Sequence, residues 1–121
     1  MRVLVIDDEP DLLELVRIIL EGAGYEVKTC NSGRNAWDAI IEAQPNLVIL
    51  DVMLPGLDGY SLQMQMSQEK ATKNIPVIIL TALEPAKTLF EKSTNVVGFL
   101  SKPFRSEELL ARVKSALATR A

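Results

Sequence analysis

The chain has 121 residues, an apolar fraction of 48% and a formal net charge of −3, which suits one globular domain spanning residues 1–121 with a sizeable core. The acidic balance offers no basic field to nucleic acid or a membrane surface, and no apolar run approaches the ~18 residues of a spanning helix. One cysteine, Cys30, and no histidine exclude an internal disulfide, a histidine base, a histidine metal ligand and a phosphohistidine carrier, and with no signal-peptide pattern the expected location is the cytoplasm.

Arg2 to Ile6 reads as a strand closed by Asp7 and Asp8. Pro10 suits the first turn of a helix, with Asp11 and Glu14 near the positive end of its dipole. Leu12, Leu15, Val16, Ile19 and Leu20 repeat at helical spacing as its core face. Pro10, Leu13 and Arg17 fall on a separate stripe, where Leu13 would face outward and anchor a partner's helix. Gly22 and Gly24 close the helix; because this Gly-x-Gly follows a helix instead of joining a strand to one, it is no dinucleotide fingerprint.

Tyr25 to Thr29 reads as a second strand, with Cys30 a small apolar residue at its end. Ser32 is placed to cap a second helix with Ala36, Trp37, Ile40 and Ile41 on its core face, and Pro45-Asn46 turns the chain into a third strand, Leu47 to Leu50, ending at Asp51. After a turn-forming stretch from Met53 to Gly59, Tyr60 to about Ala71 forms a third helix carrying Leu62, Met64 and Met66. Pro76 to Leu80 is a fourth strand ending at Thr81. Between Ala82 and Val97 a short, irregular fourth helix is expected. Gly98 to Ser101 is a fifth strand ending at Lys102-Pro103, and Ser106 opens a last amphipathic helix that lacks a full capping box. Strands and helices in strict alternation imply right-handed crossovers and a doubly wound α/β domain: five parallel strands with helices on both faces.

Four strand ends then carry Asp7 with Asp8, Asp51, Thr81 and Lys102. A carboxylate at the lip of a buried strand is costly to keep charged unless the charge is used, and open α/β sheets place their ligands at this carboxyl edge. Each residue type has a role in phosphoryl transfer to a carboxylate, a reaction helped chiefly by positioning and charge neutralisation. Asp51 is the candidate nucleophile. Asp8, with Asp7 partly through water, is the candidate Mg²⁺ site, Mg²⁺ being a hard cation that prefers oxygen ligands. Lys102 supplies a fixed positive charge to one phosphoryl oxygen and Thr81 a short hydroxyl donor to another.

Val5-Ile6-Asp7-Asp8-Glu9-Pro10, Leu50-Asp51-Val52-Met53-Leu54-Pro55-Gly56-Leu57-Asp58-Gly59, Leu80-Thr81-Ala82 and Phe99-Leu100-Ser101-Lys102-Pro103-Phe104 together resemble the receiver domain of two-component response regulators over essentially the whole chain. The resemblance implies a flavodoxin-like fold and a phosphoprotein switch acting in phosphorelay signal transduction. Asp51 would accept a phosphoryl group from a histidine kinase or histidine phosphotransfer protein, with Mg²⁺ bound by Asp8, Asp51, Asp7 and the backbone carbonyl of Met53. Thr81, Ala82, Lys102 and Met53 would hold the phosphoryl group, Thr81 and Phe99 would form the switch, and the bond preceding Pro103 would be cis. The domain would not be an enzyme on another substrate but would assist its own phosphorylation and dephosphorylation. Its partners would be the phosphodonor and an output domain or effector, with no direct contact to nucleic acid or membrane, and the fourth helix, fifth strand and fifth helix would offer a dimer face.

Three departures from the family pattern stand out. The interval from Thr81 to Lys102 is about one residue short, Thr94-Asn95-Val96 replaces an Ala-Gly-Ala ending, and Phe99 stands where tyrosine is frequent. Asn95 could still take a left-handed cap conformation. A haloacid-dehalogenase-type phosphatase would need an acid two residues after the nucleophile, where Met53 stands. The remaining alternative is a receiver-shaped interaction module that is never phosphorylated. Met53 and Leu83 flank the site by resemblance, and neither orients a water, so a long-lived phosphorylated state is expected.

Overall fold

The computed structural model describes residues 1–51, 59–81 and 95–118. Five parallel strands, β1 (Arg2–Ile6), β2 (Glu26–Cys30), β3 (Leu47–Asp51), β4 (Val77–Thr81) and β5 (Val96–Ser101), lie in the order β2-β1-β3-β4-β5. The helices described are α1 (Pro10–Gly22), α2 (Ala36–Ala43), α3 (Gly59–Gln68) and α4 (Ser106–Ala118). This is the flavodoxin-like doubly wound arrangement, and its order reverses between β1 and β3, where such sheets open a crevice. The expected fourth helix, with Ala82 and Leu83, lies outside the described residues, as do Met53 and the turn around it.

Alternation along the strands builds two cores. Val3, Val5, Leu47, Ile49, Ile78 and Leu80 face α1 and α4, meeting Leu13, Val16, Leu20, Leu109, Val113 and Leu117. Leu4, Ile6, Val48, Leu50, Val77 and Ile79 face α2 and α3, meeting Ala36, Ile40, Leu62 and Met66. Because both faces are covered, β3 and β4 are buried at every position, as parallel strands between helix layers must be.

Helix α1 departs from expectation in which face it buries. Leu13, Val16 and Leu20 point inward, Leu12 and Ile19 flank them, and Leu15 and Ile18 are 49% and 57% exposed. Leu13 is therefore core and no partner anchor; the inward stripe runs through positions three and four apart, and the strongly apolar sequence hid which stripe it was. The helix closes as expected. Gly24 adopts φ +97°, its N–H donates to Glu21 O and the Tyr25 N–H to Leu20 O, the paired bonds of a Schellman end that favours glycine.

In α2 only Ala36 and Ile40 are buried, Trp37 is half-buried against that core, and Ile41 is exposed. Ser32 does not cap the helix. Asn35 occupies that position without a side-chain bond, and the Ser32 carbonyl instead accepts from the Cys30 thiol. Helix α3 ends at Gln68, earlier than expected. Helix α4 gains half of a capping box, since Glu108 Oε1 accepts from the Arg105 N–H at 3.2 Å.

Strand β5 starts two residues earlier than expected, at Val96. Asn95 is not left-handed, the non-glycine residue with positive φ among those described being Gln44. Its side chain is buried instead, accepting from Gln63 Nε2 and donating to the Gln63 carbonyl, which ties α3 to the head of β5.

Candidate functional site

Strand register assembles the site. Ile6 pairs with Leu50, so Asp7, one step beyond, stands beside Asp51; Asp51 pairs with Leu80, so Thr81 lies on its other side. Thr81 pairs with Ser101, and the Lys102 N–H donates to the Thr81 carbonyl at 2.9 Å, which launches the lysine over the same edge. The bond from Lys102 to Pro103 is cis.

Asp7, Asp51 and Thr81 are buried, whereas Asp8 is exposed at the mouth. One carboxylate oxygen from each of Asp7, Asp8 and Asp51 falls within 4.8 Å of the others. Asp7 Oδ1 accepts from the Glu9 N–H at 2.9 Å. Asp7 Oδ2 is 3.0 Å from Lys102 Nζ, near enough for charge attraction but out of line for a hydrogen bond, so it is a fully buried carboxylate oxygen without a donor. Lys102 Nζ donates to Asp51 Oδ2 at 3.0 Å and to Glu9 Oε1 at 3.3 Å.

Burial pushes the Asp7 carboxyl above its ordinary range, against the pull of the Glu9 N–H and the Lys102 ammonium, and the nearby Asp51 charge adds to the rise. For Lys102 burial works to lower the pKa, but its ion pairs with Asp7 and Asp51 outweigh it and hold the ammonium above the ordinary lysine value. The lysine is thus a fixed cation among three carboxylates. An undonated buried oxygen inside a trio of aspartates is a donor set that fits a hard divalent cation.

The structure brings together Asp7, Asp8, Asp51, Thr81 and Lys102; Met53 and Ala82 lie outside the described residues. Phe99, on β5, is half-buried and packs against the α2–α3 core. Glu9 was not singled out as a site residue from sequence. Its only sequence signal is its place directly after the paired aspartates.

Residues 3–114 match the family model of the response regulator receiver domain, and the chain belongs to that family. The DNA-binding dual master transcriptional regulator RpaA of Synechocystis is 38% identical over 117 residues, covering 96% of this chain and 48% of that protein. The phosphate regulon transcriptional regulatory protein PhoB of Pseudomonas aeruginosa is 34% identical, covering 95% and 51%. Among solved structures, the chemotaxis response regulator CheY4 of Vibrio cholerae is 32% identical with a TM-score of 0.86, covering 96% of this chain and 98% of that one. The chain spans about half the length of the curated relatives it matches.

Proposed function

We propose that the domain is a phosphorylation switch whose acceptor is Asp51. The observation that carries this reading is the convergence of Asp7, Asp8 and Asp51 with Lys102 Nζ at the sheet edge. An Asp51 carboxylate oxygen attacks the phosphorus of a partner's phosphohistidine; the new O–P bond forms as the P–N bond breaks, and the electron pair leaves with the imidazole, which takes up a proton. Asp8, Asp51 and Asp7 would hold Mg²⁺, with the Met53 carbonyl assigned by family resemblance. When bound, Mg²⁺ neutralises charge on the transferring phosphoryl oxygens. Lys102 supplies the second positive charge, and Thr81, with Ala82, donates to the remaining oxygens.

Phosphorylation replaces one negative charge by about two and adds acceptor oxygens. Thr81 moves toward them, Phe99 turns into the space it leaves, and the face that includes β5 and α4 is remodelled, which needs only a few kcal/mol of bias between packings. That face is the output and dimer surface. The donor, a histidine kinase or phosphotransfer protein, docks on α1 over Leu15 and Ile18, the exposed apolar pair beside the Glu14–Arg17–Glu21 ion pairs. The output is carried outside this domain, in the cytoplasm. No described helix is long and apolar enough to cross a membrane.

The test is a mass spectrum after incubation with acetyl phosphate and Mg²⁺. One phosphate, absent with chelator and absent in Asp51→Asn, is expected; phosphate gained by Asp51→Asn at a comparable rate would refute the assignment, and no phosphate on the parent would favour a non-phosphorylated interaction module.

A further inference from the structure

Lys102 Nζ is shared by more carboxylates than its chemistry in the proposed reaction requires. Two of the three, Asp7 Oδ2 and Asp51 Oδ2, each at 3.0 Å, belong to the aspartates read above as cation ligands. The third, Glu9 Oε1 at 3.3 Å, does not. Glu9 is 62% exposed, yet its backbone is held on both sides: its N–H donates to Asp7 Oδ1 at 2.9 Å, and its carbonyl accepts from the Leu13 N–H at 3.0 Å. The carboxylate thus projects from a fixed point at the head of α1 toward the outer side of the ammonium.

A divalent cation among Asp7, Asp8 and Asp51 would draw on the same two buried carboxylates, Asp7 and Asp51, that the ammonium now neutralises. Two cations held against the same carboxylates in a partly buried site repel strongly, which favours displacement of the lysine as the metal enters. If it moved into solvent, the long flexible stem would have to be ordered again before it could meet a phosphoryl oxygen.

We infer that Glu9 is a positioning residue for Lys102: it takes the ammonium at the rim of the site when a divalent cation occupies the aspartates, and keeps it within reach of the acceptor. The inference rests on the reading of the aspartates as a Mg²⁺ site. Glu9 then favours the metal through the lysine and not merely through its own field. Those two routes are separable. A field effect persists when Lys102 is removed, whereas an effect carried by the lysine disappears with it.

The experiment is a double-mutant cycle read by calorimetric Mg²⁺ titration of the whole chain. Glu9→Gln should weaken Mg²⁺ binding by about threefold or more, in the range seen for residues of one charge network, and by less than about twofold when made in Lys102→Met. An equal loss in both backgrounds, or no loss in either, overturns the role of Glu9 while leaving the metal site standing. A parent that binds no Mg²⁺ overturns the site reading and this inference together. Should Lys102→Met fail to fold, the Lys102 side-chain resonances decide the matter. With Mg²⁺ saturating, they should report a held ammonium in the parent and a solvent-like one in Glu9→Gln; identical signals in both would refute the inference.

Discussion

Replacing Lys102 by methionine keeps the aliphatic stem and deletes the charge, and its cost can be bounded from the site. Asp7 is fully buried and the Asp51 side chain is nearly so, so the variant leaves two inward carboxylates without their cation. Breaking a buried ion pair by removing one partner typically costs ~3–5 kcal/mol. Proton uptake sets a ceiling: protonating a carboxyl whose ordinary pKa is 3.8 costs about 4 kcal/mol at pH 7 and about 1.6 kcal/mol at pH 5. A loss of about 3 kcal/mol at pH 7 is expected, shrinking to at most about 1.5 kcal/mol at pH 5. The sign follows from Asp7, whose folded pKa is raised. The folded state binds its proton before the unfolded state does, so stability gained at low pH is lost as pH rises through the folded value, and loss of the lysine deepens that slope. Urea unfolding at both pH values measures it, and added Mg²⁺ should recover part of the loss by binding the folded state. A variant as stable as the parent at pH 7 without divalent cation would refute the view that Lys102 neutralises this cluster.

Gln63→Leu and Asn95→Leu should each cost about 1–3 kcal/mol by orphaning the partner amide, and the double variant should lose less than the sum of the two in urea unfolding. Leu13→Asp should abolish cooperative unfolding by placing a charge in the core beneath α1, whereas Leu15→Asp combined with Ile18→Asp should leave stability within about 1 kcal/mol and slow phosphotransfer from the cognate donor while sparing acetyl phosphate. Met53→Asn should hasten loss of the phosphoryl group severalfold, measured by mass spectrometry after donor removal; unchanged decay would show that water access is not limiting.

Much of the architecture was legible because the strands are unbroken apolar runs. Val3 to Ile6, Leu47 to Leu50 and Val77 to Leu80 could only be strands covered on both faces, and the polar residue ending each run marked the carboxyl edge. Those run ends put Asp7, Asp8, Asp51 and Thr81 at one edge, whereas Met53, Ala82 and Phe99 entered only through the family resemblance. The helix faces were less legible where too many positions are apolar: between Leu12 and Leu20 a 3.6-residue period fits two adjacent stripes, and only packing against β1, β2 and α4 selects the one through Leu13, Val16 and Leu20. Gln63 and Asn95 were opaque for the opposite reason. A glutamine on a helix looks solvated until its partner, 32 residues later, is seen in the same buried layer. Glu9 was hidden as well, since an exposed acid beside two aspartates gives no sign that it reaches the lysine from the far end of the chain.

The unequal covering of the strands implies an order in which the domain breathes. β3 and β4 are buried throughout and β1 nearly so, whereas on β2 only Val27 is buried and on β5 only Leu100. Amide hydrogens in the middle of the sheet should exchange only when the whole molecule unfolds, and those of the two outer strands through cheaper local opening. Asp7 and Asp51 ride on the slow centre, while Phe99 and Lys102 ride on the fast rim. The groups that must stay still are thus anchored in the region that opens last, and those that must travel are hung on the region that opens first.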